Sequence, residues 1–160
     1  MKKIILISSV LILHCFAFSQ GDKLPGSSFK PNSSVLNKQI QIPPELKAKT
    51  NQFFNNLLDS NVAKAYEDLM RGSFLAKRDE KLKTLINQTH RAFEIYGPLQ
   101  GFELVNGDEV TSSFIRVRYL GKHSRFPMRW IFTFYKSPVD GWIITNVKFD
   151  DLSELFFGDE

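Results

Sequence analysis

One cysteine, Cys15, is present in 160 residues, and it lies in the N-terminal segment. A single thiol forms no internal disulfide and builds no thiolate cluster around a metal. Lysine and arginine never run together over five residues, so the basic tract of a nucleic-acid binder is missing. The longest apolar run, Ile4 to Leu13, is interrupted by Ser8 and Ser9, and a membrane-crossing helix needs about 20 apolar residues. Histidine is scarce: His14, His90 and His123 are the only three. HExxH, GxSxG and GxxxxGK[ST] patterns are absent, and no motif asks for a cofactor or a metal. Stability therefore has to come from packing, for which 15 Phe, 2 Trp and 4 Tyr supply large side chains.

The opening MKKIILISSVLILHCFAFSQ combines Lys2 and Lys3, an apolar stretch, and small residues ending at Ala17-Phe18-Ser19. That order is a secretory signal over residues 1–19, cut after Ser19, with the mature chain beginning at Gln20. Two alternatives stand beside it. Cys15 could be a lipidated residue, although His14 before it is larger than such sites favour, or the segment could stay attached as an anchor. The expected destination is the periplasm or the medium, with no stable membrane span. Loss of Lys2 and Lys3 lowers the formal charge from +4 to +2, so the high pI does not argue for a nucleic-acid partner.

Residues 20–43 are rich in Gly, Ser, Pro, Asn and Lys and carry no helical or alternating period, which reads as a flexible leader. A single domain spans 44–160. Pro43-Pro44 starts a helix with Leu46, Phe53, Phe54, Leu57 and Leu58 near helical spacing. Asp59-Ser60-Asn61 breaks it, Ser60 caps a second helix carrying Val62, Ala65, Tyr66, Leu69 and Met70, and Gly72 ends that one. Leu82, Leu85, Ile86, Thr89, Phe93 and Tyr96 form one stripe of a third helix over about 78–95, stopped by Gly97-Pro98.

The period then changes from 3.6 to 2. Strands are expected at Leu99–Val105, Val110–Leu120, Arg125–Lys136 and Trp142–Asp150, with turns at Asn106-Gly107-Asp108, Gly121–Ser124 and Ser137–Gly141. Leu152–Phe157 reads as a short terminal helix. Helices first and an antiparallel meander second predict an α+β fold: three helices on a curved four-stranded sheet.

Simple hairpin registers pair Leu120 with Arg125 and Lys136 with Trp142. One face then collects Ile115, Val117, Tyr119, Phe126, Met128, Trp130, Phe132, Phe134 and Ile144, and should meet the helices. The other collects Phe114, Arg116, Arg118, Arg129, Ile131, Thr133, Tyr135, Thr145 and Val147. This register sets Arg116 opposite Arg129 with Arg118 close by. Like charges across a strand pair are unfavourable, so solvent, a carboxylate such as Glu103 or Asp150, or an anionic ligand should compensate. Arg116, Arg118 and Arg129 are thus a candidate anion or partner patch. Phe114, Ile131, Tyr135 and Val147 on the same face make a homodimer plausible.

Acid–base candidates are few. His90 lies on the third helix beside the buried stripe, and His123 is expected at a solvent-facing hairpin tip. Asp150 and Asp151 are neighbours on a strand, so they point to opposite faces and do not share a metal.

Phe53–Asn61 followed by Ala65-Tyr66-Glu67-Asp68-Leu69, the junction Tyr96-Gly97-Pro98-Leu99 with Phe102-Glu103, and Asp140-Gly141-Trp142-Ile143-Ile144 together resemble the NTF2-like (cystatin-like α+β) superfamily, in particular its small exported bacterial domains. The resemblance spans about residues 44–150. It implies a cone in which helices and sheet enclose a pocket, and the enzymes of the group place an Asp/His or Asp/Tyr pair there. No such pair is matched residue by residue in this chain. The expected function is a non-catalytic exported domain that binds a small apolar or amphipathic ligand, or a protein partner. Tyr66, Phe93, Tyr119, Met128, Trp130, Phe132 and Trp142 are candidate pocket residues, with core packing as the alternative for each. An NTF2-like enzyme with a pocket acid–base group and a module dimerising through its sheet face are the competing functions.

Overall fold

The computed structural model describes residues 40–157. The expected signal, Cys15 and most of the leader lie outside them. The described part has the expected α+β order of three helices followed by a four-stranded antiparallel sheet, β1-β2-β3-β4. Helix α1 spans Pro44–Leu58, α2 Val62–Met70 and α3 Asp79–Tyr96, with a 3₁₀ turn at Phe74–Lys77 between the last two. The strands are β1 Leu99–Thr111, β2 Phe114–His123, β3 Met128–Ser137 and β4 Gly141–Asp150, and a second 3₁₀ turn follows at Ser153–Phe156. No described helix is long and apolar enough to cross a membrane.

The expected stripes turn toward the core: that of α3 buries Leu85 and Thr89 and half-buries Leu82, Ile86, Phe93 and Tyr96, whereas Leu58, expected on the α1 stripe, is exposed. Leu46, Thr50, Phe53, Phe54 and Leu57 line the inner face of α1, and Val62, Ala65, Tyr66, Leu69 and Met70 that of α2. Pro44 suits a first turn because its missing N–H is one no helix would use. Asp79 and Glu80 sit in the first turn of α3, where the helix dipole favours negative charge. Ser60 does not cap α2. It has φ 60° in the turn, and Asn61 takes the cap position without a side-chain bond.

The inner sheet face is filled by rings. Phe53 lies 5.2 Å from Tyr66, 5.6 Å from Trp130 and 5.3 Å from Phe132, centroid to centroid. Phe54 stacks on Phe102 at 4.5 Å, and Trp130 on Phe149 at 4.6 Å. Two hydroxyl relays run through this apolar mass. Thr50 Oγ1 donates to the Leu46 carbonyl at 2.9 Å, so Tyr119 OH, 2.6 Å away, donates to Thr50. Thr89 likewise donates to the Leu85 carbonyl and receives from Tyr66 OH at 2.8 Å. The relays tie β2 to α1 and α2 to α3, and they satisfy groups whose burial alone would be costly. Burial pushes both tyrosine hydroxyls above the usual phenol value, Tyr66 the further of the two.

Several strand boundaries differ from the sequence expectation. Asn106-Gly107-Asp108 is not a turn. Strand β1 runs through it to Thr111, with register shifts near Leu104/Asn106 and Glu109/Thr111. The reason is long-range. Ile40 N–H donates to the Gly107 carbonyl at 3.2 Å, and Ile42 packs so closely that a Cβ at Gly107 would overlap its Cδ1. Ile40 and Ile42, expected in the leader, are therefore packed against β1, and Ile42 is buried.

The β2–β3 connection also moves. The β2–β3 pairing sets Leu120 opposite Arg129 rather than Arg125, a slip of four residues. Strand β2 extends to His123, and Ser124–Pro127 forms the link. This link closes the C-terminus of α3. Arg125 Nη1 donates to the carbonyls of Glu94 (2.9 Å) and Ile95 (3.3 Å), and Arg125 N–H to that of Tyr96 (3.0 Å). His123 Nδ1 bonds the Gly97 carbonyl at 2.8 Å, and Ser124 N–H that of Pro98 at 3.1 Å. Five successive carbonyls, four of which a bare helix end would leave open, are thereby used. Gly97 is required there: its φ is +85°, and a Cβ would overlap Ser124 Oγ. Phe126, expected in the core, lies in this link and is exposed.

Candidate functional site

Because the β2–β3 slip is even, alternation survives. Ile115, Val117, Tyr119, Met128, Trp130, Phe132, Phe134 and Ile144 are all buried on the helix-facing side. Val147 is the exception to the expected faces. A register shift at Thr133/Phe134 adds one residue to β4, which turns Val147 inward opposite Phe132.

The seven residues expected to line an enclosed pocket are thus placed as follows. Tyr66, Tyr119, Met128, Trp130, Phe132 and Trp142 are buried in the aromatic core, and Phe93 is half-buried against it. Phe93 lies edge-on to the His123 ring at 5.3 Å.

The outer face is built of transverse rows. Thr111, Phe114, Tyr135 and Ile143 form one. Asp108, Arg116, Thr133 and Asn146 form the next. Asn106, Arg118, Ile131 and Lys148 follow, and then Glu103, Leu120, Arg129 and Asp150. Arg116 therefore faces Thr133, not Arg129, and the expected like-charge pair does not form. Two carboxylates separate the three arginines. Asp108 Oδ2 accepts from Arg116 Nη2 at 2.8 Å and Nε at 3.3 Å, while its Oδ1 accepts from Arg118 Nη1. Asp150 takes Arg129 in a two-pronged bond at 3.0 and 2.9 Å. Glu103, the other expected partner, binds Lys122 at 2.7 Å instead. Sequence reasoning missed Asp108 because a turn-like tripeptide concealed a strand residue facing Arg116.

A partly open cavity of about 340 Å³ lies on this face. Asp108, Arg116, Thr133 and Asn146 cross it in one row, Val110 and Phe114 close one side, and Ile115 and Thr145 complete the wall. Thr145 Oγ1 donates to the Thr133 carbonyl at 3.0 Å, while the Thr133 hydroxyl and the Asn146 amide have no partner among the described residues. Smaller hollows of about 200–210 Å³ also lie on the surface of the described residues. Of the seven expected pocket residues, only Met128 borders any of these spaces.

The histidines part ways. His90 is exposed on α3. His123, expected at a solvent-facing tip, is 8 % exposed. Burial holds its imidazole below the usual value, and the bond to the Gly97 carbonyl opposes that shift without cancelling it. Among the described residues its Nε2 is buried without a partner, as is Trp130 Nε1. Asp150 and Asp151 serve different neighbours, Arg129 and the Tyr96 hydroxyl (2.7 Å). No group of three His, Cys, Asp or Glu residues able to hold a metal occurs among the described residues.

No family model, curated protein or solved structure matches this chain, so the site stands on its own geometry.

Proposed function

We propose that this protein is an exported, NTF2-like binding domain that recognises a small amphipathic ligand on the outer face of its sheet and performs no chemistry on it. The observation that carries the reading is the contrast between an interior occupied by interlocking rings and an outer-face cavity of about 340 Å³. That volume falls within the range of small-molecule sites, which combine apolar walls with a few convergent polar groups. Phe114 and Val110 supply the apolar wall, and Arg116, Thr133 and Asn146 the polar one. The order of helices and strands is compatible with the NTF2-like resemblance. The export reading draws its support from the first 19 residues alone.

Two measurements test the reading. A fragment screen followed by ¹H–¹⁵N NMR should yield binders that shift the amides of Phe114, Arg116, Thr133 and Asn146. Binders that instead shift Tyr66, Tyr119 and Trp130 would return the site to the interior and defeat the proposal. For export, the intact mass of protein recovered from outside the cytoplasm should correspond to a chain starting at Gln20. A full-length chain found only in the cytosol would contradict it.

A further inference from the structure

The outer-face reading leaves the ligand's chemistry open, and the charges around the cavity narrow it. Two guanidinium groups share one carboxylate at Asp108, so the cluster carries one excess positive charge. Both Asp108 oxygens already accept from guanidinium groups, so its negative charge is spent on the two arginines rather than left to attract an ammonium ligand. Arg116 uses Nε and Nη2 on Asp108, and its Nη1 has no partner among the described residues. The Arg116 side chain is 42 % exposed, so a ligand reaches it without breaking the ion pair. The Thr133 hydroxyl and the Asn146 amide stand in the same row as further donors. One excess charge matches a single carboxylate better than a phosphate group, which carries about two charges at neutral pH.

We infer that this cavity takes a small carboxylic acid, its carboxylate bound by Arg116, Thr133 and Asn146 and its apolar body laid against Phe114 and Val110. The inference rests on the outer-face reading and adds the ligand's class to it. Planar guanidinium suits carboxylate recognition, and charge-assisted bonds are about twice as strong as neutral ones. The apolar wall selects for a hydrocarbon portion over a compact, fully hydrated anion.

The test is a titration of the protein with octanoate, octanol and octylamine, followed by NMR. Octanoate should bind about tenfold tighter than either analogue, with shifts at Phe114, Arg116, Thr133 and Asn146. Arg116→Gln should remove that preference, and Thr133→Val should weaken octanoate by a smaller factor. Asp108 keeps Arg118 in the first variant, and unchanged thermal midpoints would establish that both fold. Octanol or octylamine binding at these residues as tightly as octanoate would overturn the carboxylate inference while leaving the outer-face site in place. Octanoate bound only at interior amides would overturn both. Equal octanoate affinity in wild type and Arg116→Gln would remove Arg116 as the anchor and sink the inference.

Discussion

The two faces of this sheet come from the same four strands, yet they solve different physical problems. The inner face excludes water with aromatic rings and makes its few polar contacts through two hydroxyl relays. The outer face pairs guanidinium with carboxylate groups near its surface and leaves a cavity beside the Asp108–Arg116 pair. Strand alternation separates the two by a single residue step. Stability should therefore be concentrated on one side and recognition on the other, and substitutions should divide accordingly.

The largest effect should come from the inside. Trp130→Ala removes a side chain with 0 % exposure that contacts Phe53, Phe54, Phe132 and Phe149. It should cost about 3–5 kcal/mol in chemical denaturation. A loss under about 1 kcal/mol would mean the interior is not packed in this way. Asp108→Ala comes next. It leaves Arg116 and Arg118 without their shared carboxylate, and about 1–3 kcal/mol should be lost. That deficit should shrink at high salt, which screens the remaining repulsion. A salt-independent deficit would point to packing rather than charge. Tyr119→Phe deletes the donor to Thr50 but leaves Thr50 bonded to Leu46. About 1 kcal/mol should be lost, measured as the change in denaturation midpoint.

The last of these concerns pH, where only a direction is expected. Burial keeps His123 neutral in the folded protein more strongly than in the unfolded chain. The unfolded chain takes up the proton first, so stability is full above a pH of about 6.5 and falls as pH drops below it. His123→Phe should flatten that part of the pH profile while lowering stability throughout, because the bond to Gly97 is lost. A wild-type profile that rises with acidity over this range would show the shift to have the opposite sign.

Much of the inner face is legible in the sequence, and little of the outer site is. Apolar spacing announces α1, α2 and α3 because a helix buries a stripe that its own residues define. The faces of β2 and β3 come out correctly because a four-residue slip preserves parity. Three features depend on distant partners and leave no local mark. Gly107 looks like a turn until Ile42 is seen lying on it. His123 looks like a loop tip until it meets a backbone carbonyl 26 positions away. Val147 points outward until the extra residue in β4 reverses it. The cavity is the extreme case, because its central row takes one residue from each of four strands and exists only when all three registers are set.

The account turns on whether recognition belongs to the outer cavity. Thr133→Trp decides this most directly, since it fills the central row without changing any charge. Calorimetric titration of octanoate into this variant should show binding abolished while the thermal midpoint stays near that of the wild type. Undiminished octanoate binding in a folded Thr133→Trp protein would contradict the account.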